Sequence, residues 1–217
     1  MTARLGAEVE RGNTRFAVRS PRASAVWLCL FEGETERRIA MHREGENWIA
    51  VLPGDLSGAR YGYRAEGDWA PEEGLWFDPA KLLVDPYATE LDRRFIQHTD
   101  LARHGVDTAR IVPRALVPGH LPAVRRRKPR FARGGLIYEV NVRGFTMLHP
   151  DVPEAQRGTV SALAHPSILA HLARMGVGAV ELMPITAWID ERHLPPLGLS
   201  NAWGYTPVSF MALDPRL

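Results

Sequence analysis

The sequence has 217 residues, 45% hydrophobic and 24% charged, which is the composition of a folded chain long enough for one large or two modest domains and excludes disorder throughout. A formal net charge of +2 points to neither nucleic acid nor a membrane surface, one cysteine excludes an internal disulfide, and no apolar run approaches the ~20 residues of a membrane span. The first residues carry charge without an apolar core, so no export signal is read and a cytoplasmic address is expected.

Between Asn13 and Ala65, short β-type runs alternate with turn residues. The runs are Thr14–Arg19, Ala25–Phe31, Arg37–Met41, Asn47–Leu52 and Arg60–Ala65, separated by Glu32-Gly33-Glu34, Arg43-Glu44-Gly45-Glu46 and Pro53-Gly54-Asp55. Alternation of period two predicts a small antiparallel sandwich with a core of Phe16, Val18, Val26, Leu28, Leu30, Ile39, Trp48, Val51 and Tyr61. Gly62, between two tyrosines, predicts a bulge or a close backbone approach, and Cys29 reads as a buried small hydrophobe rather than a nucleophile.

From Trp69 to Ala88 the text turns to prolines, aromatics and small apolar clusters, which predicts a packed connector whose aromatics anchor on a domain beneath. The stretch from Asp92 to Val117 has few periodic signals and reads as a surface wrap. Arg125–Arg130 is the one charge block; it reads as a solvated linker in preference to a phosphate-binding patch, and no nucleic-acid motif accompanies it.

Gly134–Thr146 then reads as a buried strand that delivers polar residues to a loop. His165-Pro166 opens an amphipathic helix with Ile168, Leu169, Leu172 and Met175 on one face and Gly176 as its stop. Gly178–Met183 follows as a second strand covered on both faces, so the three elements predict a parallel strand-helix-strand unit with a right-handed crossover. Functional groups are expected at the strands' C-terminal ends, after Asn141 and after Pro184.

Glu139 and Glu181 on these strands are the only paired carboxylates that suit glycosidic acid/base chemistry, with internal hydrogen bonding as their plainer role. Asn201-Ala202-Trp203-Gly204-Tyr205-Thr206-Pro207 brackets a glycine with two rings in a loop, an arrangement that suits the apolar C–H face of a pyranose and equally a core or turn role. There is no zinc-spaced ligand set, phosphate loop or nucleophile elbow, and His149, His165, His171 and His193 are assigned no catalysis.

Ile137–Thr146 resembles the first barrel strand of the α-amylase superfamily, glycoside hydrolase family 13, in its isoamylase-type branch. Leu163-Ala164-His165-Pro166, Gly176–Pro184 and Asn201–Tyr205 continue the resemblance in order. Gly12–Val18, Val26–Phe31 and Tyr61-Gly62-Tyr63-Arg64 resemble the family 48 carbohydrate-binding module that precedes such barrels, and Phe77–Ala88 with Asp107–Arg114 resembles the connector.

The resemblance implies a multi-domain β plus α/β fold, an immunoglobulin-like β-sandwich followed by the first βαβ part of an incomplete TIM (β/α)8 barrel. Residues 1–90 would be the module with its end connector, 91–133 a linker wrapping onto the barrel, and 134–217 the truncated barrel. It implies Tyr205 as the ring stacking on the glucose beside the bond to be cut, Trp203 as its neighbour, and α-glucan (glycogen or limit dextrin) as partner; no cofactor or metal ligand is assigned, and metal binding is left open.

The implied activity is retaining hydrolysis of α-1,6 branch linkages in glycogen. The family's catalytic carboxylates come from later strands, beyond Leu217, which removes Glu139 and Glu181 from candidacy and leaves no catalytic residue in this chain. The chain alone is therefore expected to be inactive, with a poorly stable C-terminal half. Alternatives are a non-catalytic α-glucan-binding protein and a related family 13 enzyme such as a trehalohydrolase or branching enzyme.

Overall fold

The alternating runs form strands in the computed structural model, which describes residues 4–120, 128 and 131–217. The linker reading of Arg125–Arg130 lies outside the described residues apart from Lys128, which is exposed. Residue contacts divide the chain into two units of mixed β and α structure: residues up to 120 with Thr186–Ser200 and Thr206–Pro215, and residues from 131 to 185 with Asn201–Tyr205 and Arg216–Leu217. Among the described residues no helix is long and apolar enough to cross a membrane.

The first unit contains β1 (Gly6–Glu10), β2 (Asn13–Arg19), β3 (Ala25–Glu32), β4 (Thr35–Ala40), β5 (His42–Glu44), β6 (Asn47–Pro53), β7 (Arg60–Glu66) and the short β8 (Trp69–Ala70), β9 (Leu75–Trp76) and β10 (Ala115–Leu116). Two four-stranded antiparallel sheets result, ordered β1-β2-β6-β5 and β10-β7-β3-β4. Phe16 and Val18 of β2, Val26 and Leu28 of β3, Trp48 and Ala50 of β6, and Tyr61 and Tyr63 of β7 share one apolar cluster.

Leu30 and Ile39 pack partly buried against this cluster, whereas Val51, expected in the core, is 54% exposed. A strand shows one face to every second residue, so Trp48, Ala50 and Leu52 face the core and a position three beyond Trp48 faces away. Arg43 and Glu44 belong to β5 rather than to the expected turn. Buried Met41 is the single residue between β4 in one sheet and β5 in the other, its N–H donating to Val26 O at 2.9 Å.

The segment after β7 takes its path from one glycine and a few polar side chains. A Cβ on Gly62 would lie 2.9 Å from both Leu82 Cδ1 and Leu83 O, so the expected close approach is present: the 82–83 backbone runs against β7 through the Tyr63–Leu83 bridge. Arg64 has no exposed side-chain surface. Its Nε and Nη2 donate to the two oxygens of Glu36 at 2.7 and 2.6 Å, Nη2 also reaches Asp107 at 3.0 Å, and Nη1 donates to the carbonyls of Pro79 and Ala80 at 3.1 and 2.6 Å.

Lys81 Nζ donates to the carbonyls of Asp100, Arg103 and Val106, and Thr108 Oγ1 accepts from the Leu82 N–H. Arg114, also fully buried, lies over the Phe31 ring at 4.1 Å and donates to Gly33 O and to Glu34. Asp85 accepts the hydroxyls of Tyr61 and Tyr63 at 2.8 and 3.2 Å; burial pushes its carboxyl up against the pull of these donors and of the Tyr87 N–H.

In the second unit, β11 (Leu136–Val140) and β12 (Val177–Leu182) pair in parallel, as the strand-helix-strand pattern predicts, with α1 (Val142–Thr146) and α2 (Pro166–Arg174) between them in the chain. Asn141 is followed by the short helix α1 rather than a loop, because its Oδ1 accepts the Gly144 N–H and caps the turn. His165 and Pro166 do open α2, the imidazole Nδ1 accepting the Ser167 N–H.

Ile168 and Leu172 of α2 are buried with Val152 and Ala162 and pack on Tyr138, Phe145 and Val177. Leu169 and Met175, expected on the same face, are 52% and 42% exposed. Leu169 is a quarter turn from Ile168, and Met175 is already the C-cap. The strands are also less covered than expected: Leu136, Ile137 and Val180 are exposed, since the sheet has two strands among the described residues and one principal helix against it.

The Arg64 cluster yields a stability prediction. Burial pushes the Glu36 carboxyl up, but the hydrogen bonds it accepts from Arg64 and Arg38 outweigh burial and hold it down at about 2. As for any depressed acid, this stabilisation is complete above the ordinary value of 4.5 and is lost as the pH falls towards 2. In urea unfolding at neutral pH, Arg64→Ala is expected to cost about 3–5 kcal/mol by stranding Glu36 and the connector carbonyls. Glu36→Gln should remove the acid dependence this carboxylate contributes below 4.5. Gly62→Ala is expected to cost about 1–3 kcal/mol in the same assay, because a backbone carbonyl cannot move aside as a flexible side chain can.

Candidate functional site

The two rings singled out in the sequence sit on a loop held by amide side chains. Asn201 is 8% exposed, and its Oδ1 accepts the N–H groups of Trp203 and Gly204 at 2.8 and 2.9 Å. The carbonyl of the intervening Ala202 accepts Nδ2 of Asn141 at 2.9 Å. Gly204 has φ +77°, the left-handed region that a glycine enters without a steric penalty.

Trp203 and Tyr205 project from this frame 67% and 60% exposed, their ring centroids 6.4 Å apart and their planes at 78°. Large rings left in water by a well-tied loop form an apolar surface with polar edges, the indole N–H and the phenol hydroxyl. Of the core, turn and ligand roles weighed for this pair, the exposure of both rings sets the core role aside.

Glu139 and Glu181 are register partners across β11 and β12, and both are exposed, so neither is the buried hydrogen-bond partner that was the plainer expectation. The cause is the open two-stranded sheet. The histidines are local: His149 Nδ1 accepts the Asp151 N–H, His165 caps α2, the His171 ring lies 6.3 Å from Phe145, and His193 is exposed. Among the described residues, no group of three or more His, Cys, Asp or Glu is placed to hold a metal ion.

A second aromatic surface was missed in the sequence. Trp69 and Trp76 are cross-strand partners in the β8–β9 hairpin, 5.5 Å apart at 84°, and the His104 ring lies 4.0 Å from Trp69. They are 41% and 64% exposed, which corrects the expectation that these aromatics anchor on something beneath them. A groove of about 420 Å³ runs beside Trp76, with Phe77 and Leu75 on its apolar side and Arg19, Arg22 and Lys81 on its polar side. The signal was available: Pro71-Glu72-Glu73-Gly74, with Gly74 in the left-handed region, is a tight turn that sets the flanking tryptophans opposite each other.

Comparison with known proteins gives these surfaces a context. Residues 4–88 match carbohydrate-binding module 48, the isoamylase N-terminal domain. Over 221 aligned residues the chain is 40% identical to a glycogen debranching enzyme of Yersinia enterocolitica serotype O:8 / biotype 1B, covering 97% of this chain and 33% of that protein. The chain therefore spans about a third of the length of this relative.

Two solved structures share the fold at lower identity. The catalytic module of SpuA, a multi-modular glycogen-degrading pneumococcal virulence factor, covers 100% of this chain and 32% of its own, with a TM-score of 0.69 and 20% identity. Pullulanase from Anoxybacillus sp. LM18-11, crystallised with maltotetraose, covers 97% and 29%, with a TM-score of 0.65 and 23% identity. Residues 4–88 are thus similar to the isoamylase N-terminal domain, and nearly the whole chain is similar to about a third of a glycogen debranching enzyme.

Cys29, the lone thiol, has no exposed surface, as expected of a core residue. Burial first, and then the neighbouring Glu36 carboxylate, push it up to about 12. A thiolate is the reactive form, so the folded protein is expected to resist a thiol-labelling disulfide reagent at mildly alkaline pH and to take up one equivalent on denaturation; rapid labelling of the native protein would show that this core opens.

Proposed function

We propose that this chain is the N-terminal, glucan-contacting part of an enzyme that hydrolyses α-1,6 branch linkages in glycogen or its limit dextrins. The observation that carries the reading is the exposed Trp203–Tyr205 pair on a loop fixed by Asn201. In this reading Tyr205 stacks on the glucose ring beside the branch linkage, and Trp203 extends the platform. The nucleophile and acid/base carboxylates belong to later strands of a longer protein, and this chain supplies none.

The same reading takes residues 1–90 as an immunoglobulin-like β-sandwich with its end connector, 91–133 as a linker, and 134–217 as the opening βαβ part of a (β/α)8 barrel, in a cytoplasmic protein. Support comes from the shared core of the two sheets, the parallel β11–β12 pair with α2 between them in the chain, and the module match over residues 4–88. The exposed Trp69–Trp76 pair favours a second reading, a non-catalytic α-glucan-binding protein that grips its ligand through the first unit.

Native affinity electrophoresis in glycogen and limit-dextrin gels separates the two. The 217-residue protein is expected to be retarded in both gels and to release no linear chains from limit dextrin. Trp203→Ala or Tyr205→Ala should weaken retention about tenfold, the equivalent of ~1.4 kcal/mol. Retention that survives both substitutions and disappears with Trp69→Ala or Trp76→Ala would transfer the contact to the first unit and favour the second reading. Release of linear chains would overturn the view that the chemistry lies elsewhere.

A further inference from the structure

We propose that Asn141 is a positioning residue that presents Trp203 and Tyr205 to the glucan, an inference that rests on the loop being a glucan contact. The side-chain amide of Asn141 has one acceptor and one donor in use. Its Oδ1 accepts the Gly144 N–H at 2.8 Å and caps α1, which orients the amide so that Nδ2 donates to Ala202 O at 2.9 Å. Asn201 holds the other end of the same Ala202–Trp203 peptide and the peptide after it, its Oδ1 accepting the N–H groups of Trp203 and Gly204. The backbone that carries the two rings is thus tied through one carbonyl and two N–H groups by two asparagines 60 positions apart in sequence.

The two bonds of Asn141 are separable by chemistry. Aspartate keeps the acceptor that caps α1 and has no N–H for Ala202; it faces that carbonyl with another oxygen. With the donor gone and a carboxylate oxygen facing the Ala202 carbonyl, the Ala202–Trp203 peptide keeps only its N–H tie to Asn201, and the rings spend part of their time out of the binding arrangement. Apparent affinity falls by the fraction of molecules that remain competent. Asn141 touches no sugar in this account: it acts through the loop and sits at the C-terminal end of β11, before α1 begins.

The test is a double-mutant cycle on the 217-residue protein, with maltotetraose binding followed by tryptophan fluorescence and subtraction of the Trp203→Phe response to isolate the Trp203 signal. Asn141→Asp is expected to weaken binding about tenfold and to reduce the Trp203 signal at a given occupancy, with faster hydrogen exchange of the Trp203 and Gly204 amides and an unchanged thermal midpoint. In a Trp203→Ala background, Asn141→Asp should cost little more. Parent-like affinity with unchanged loop exchange would overturn the proposal, and so would a full tenfold loss in the Trp203→Ala background, since the effect would then bypass the ring. If Trp203→Ala and Tyr205→Ala themselves leave affinity unaltered, the reading of the loop as a glucan contact fails first and the role of Asn141 falls with it.

Discussion

A guanidinium with no exposed surface must find acceptors on several sides, and Arg64 finds them in three separate stretches of chain: Glu36 on β4, Asp107, and the carbonyls of Pro79 and Ala80. Such a cluster contributes little net stability compared with a well-packed apolar substitute, because the charges must first leave water. Its consequence is positional. The stretch beyond β7 has no hydrophobic period of its own, and it is held by Arg64 from β7, by the hydrogen bonds of the Lys81 cation and by the close approach at Gly62. The β8–β9 hairpin leaves β7 at the head of that stretch, so the exposure of Trp69 and Trp76 depends on how the rest is tied down.

Both aromatic surfaces hold their rings in place through neighbouring side chains. An indole left in water forgoes burial worth a few kcal/mol, and a mobile one would pay a further entropic cost on binding. Trp69 is steadied by Trp76 and His104, and Trp203 by the peptide grip of Asn201 and the perpendicular Tyr205. A sugar offers a weak apolar face and hydroxyls that water already satisfies, so the affinity of a single ring is small and preordering has a proportionately large effect. This is the physical sense in which short polar side chains, Asn141 and Asn201, belong to an aromatic site.

Electrostatics in the first unit separates structure from chemistry. Its most perturbed groups, Glu36, Cys29, Asp85 and the two tyrosines above Asp85, lie inside the sheets or where the connector meets them, and each perturbation follows from burial beside a specific partner.

What the sequence determined by itself is what is written in local period and local sterics. Phe16, Val18, Val26 and Leu28 alternate and are core; Gly62 separates two inward tyrosines and meets the backbone of Leu83; His165-Pro166 starts a helix; β11 and β12 run parallel because a helix lies between them in the chain. The motifs at Ile137–Thr146 and Asn201–Tyr205 carried the resemblance because their order, more than any one residue, is specific. Tertiary structure alone decided whatever depends on covering and on distant partners. Val51, Leu169 and Val180 are apolar yet exposed, since burial depends on what packs opposite and apolarity cannot report it. Glu139 and Glu181 stand side by side in water for the same reason. Asn141 reaches Ala202 because folding brings partners remote in sequence within one hydrogen bond, a distance that no local pattern encodes.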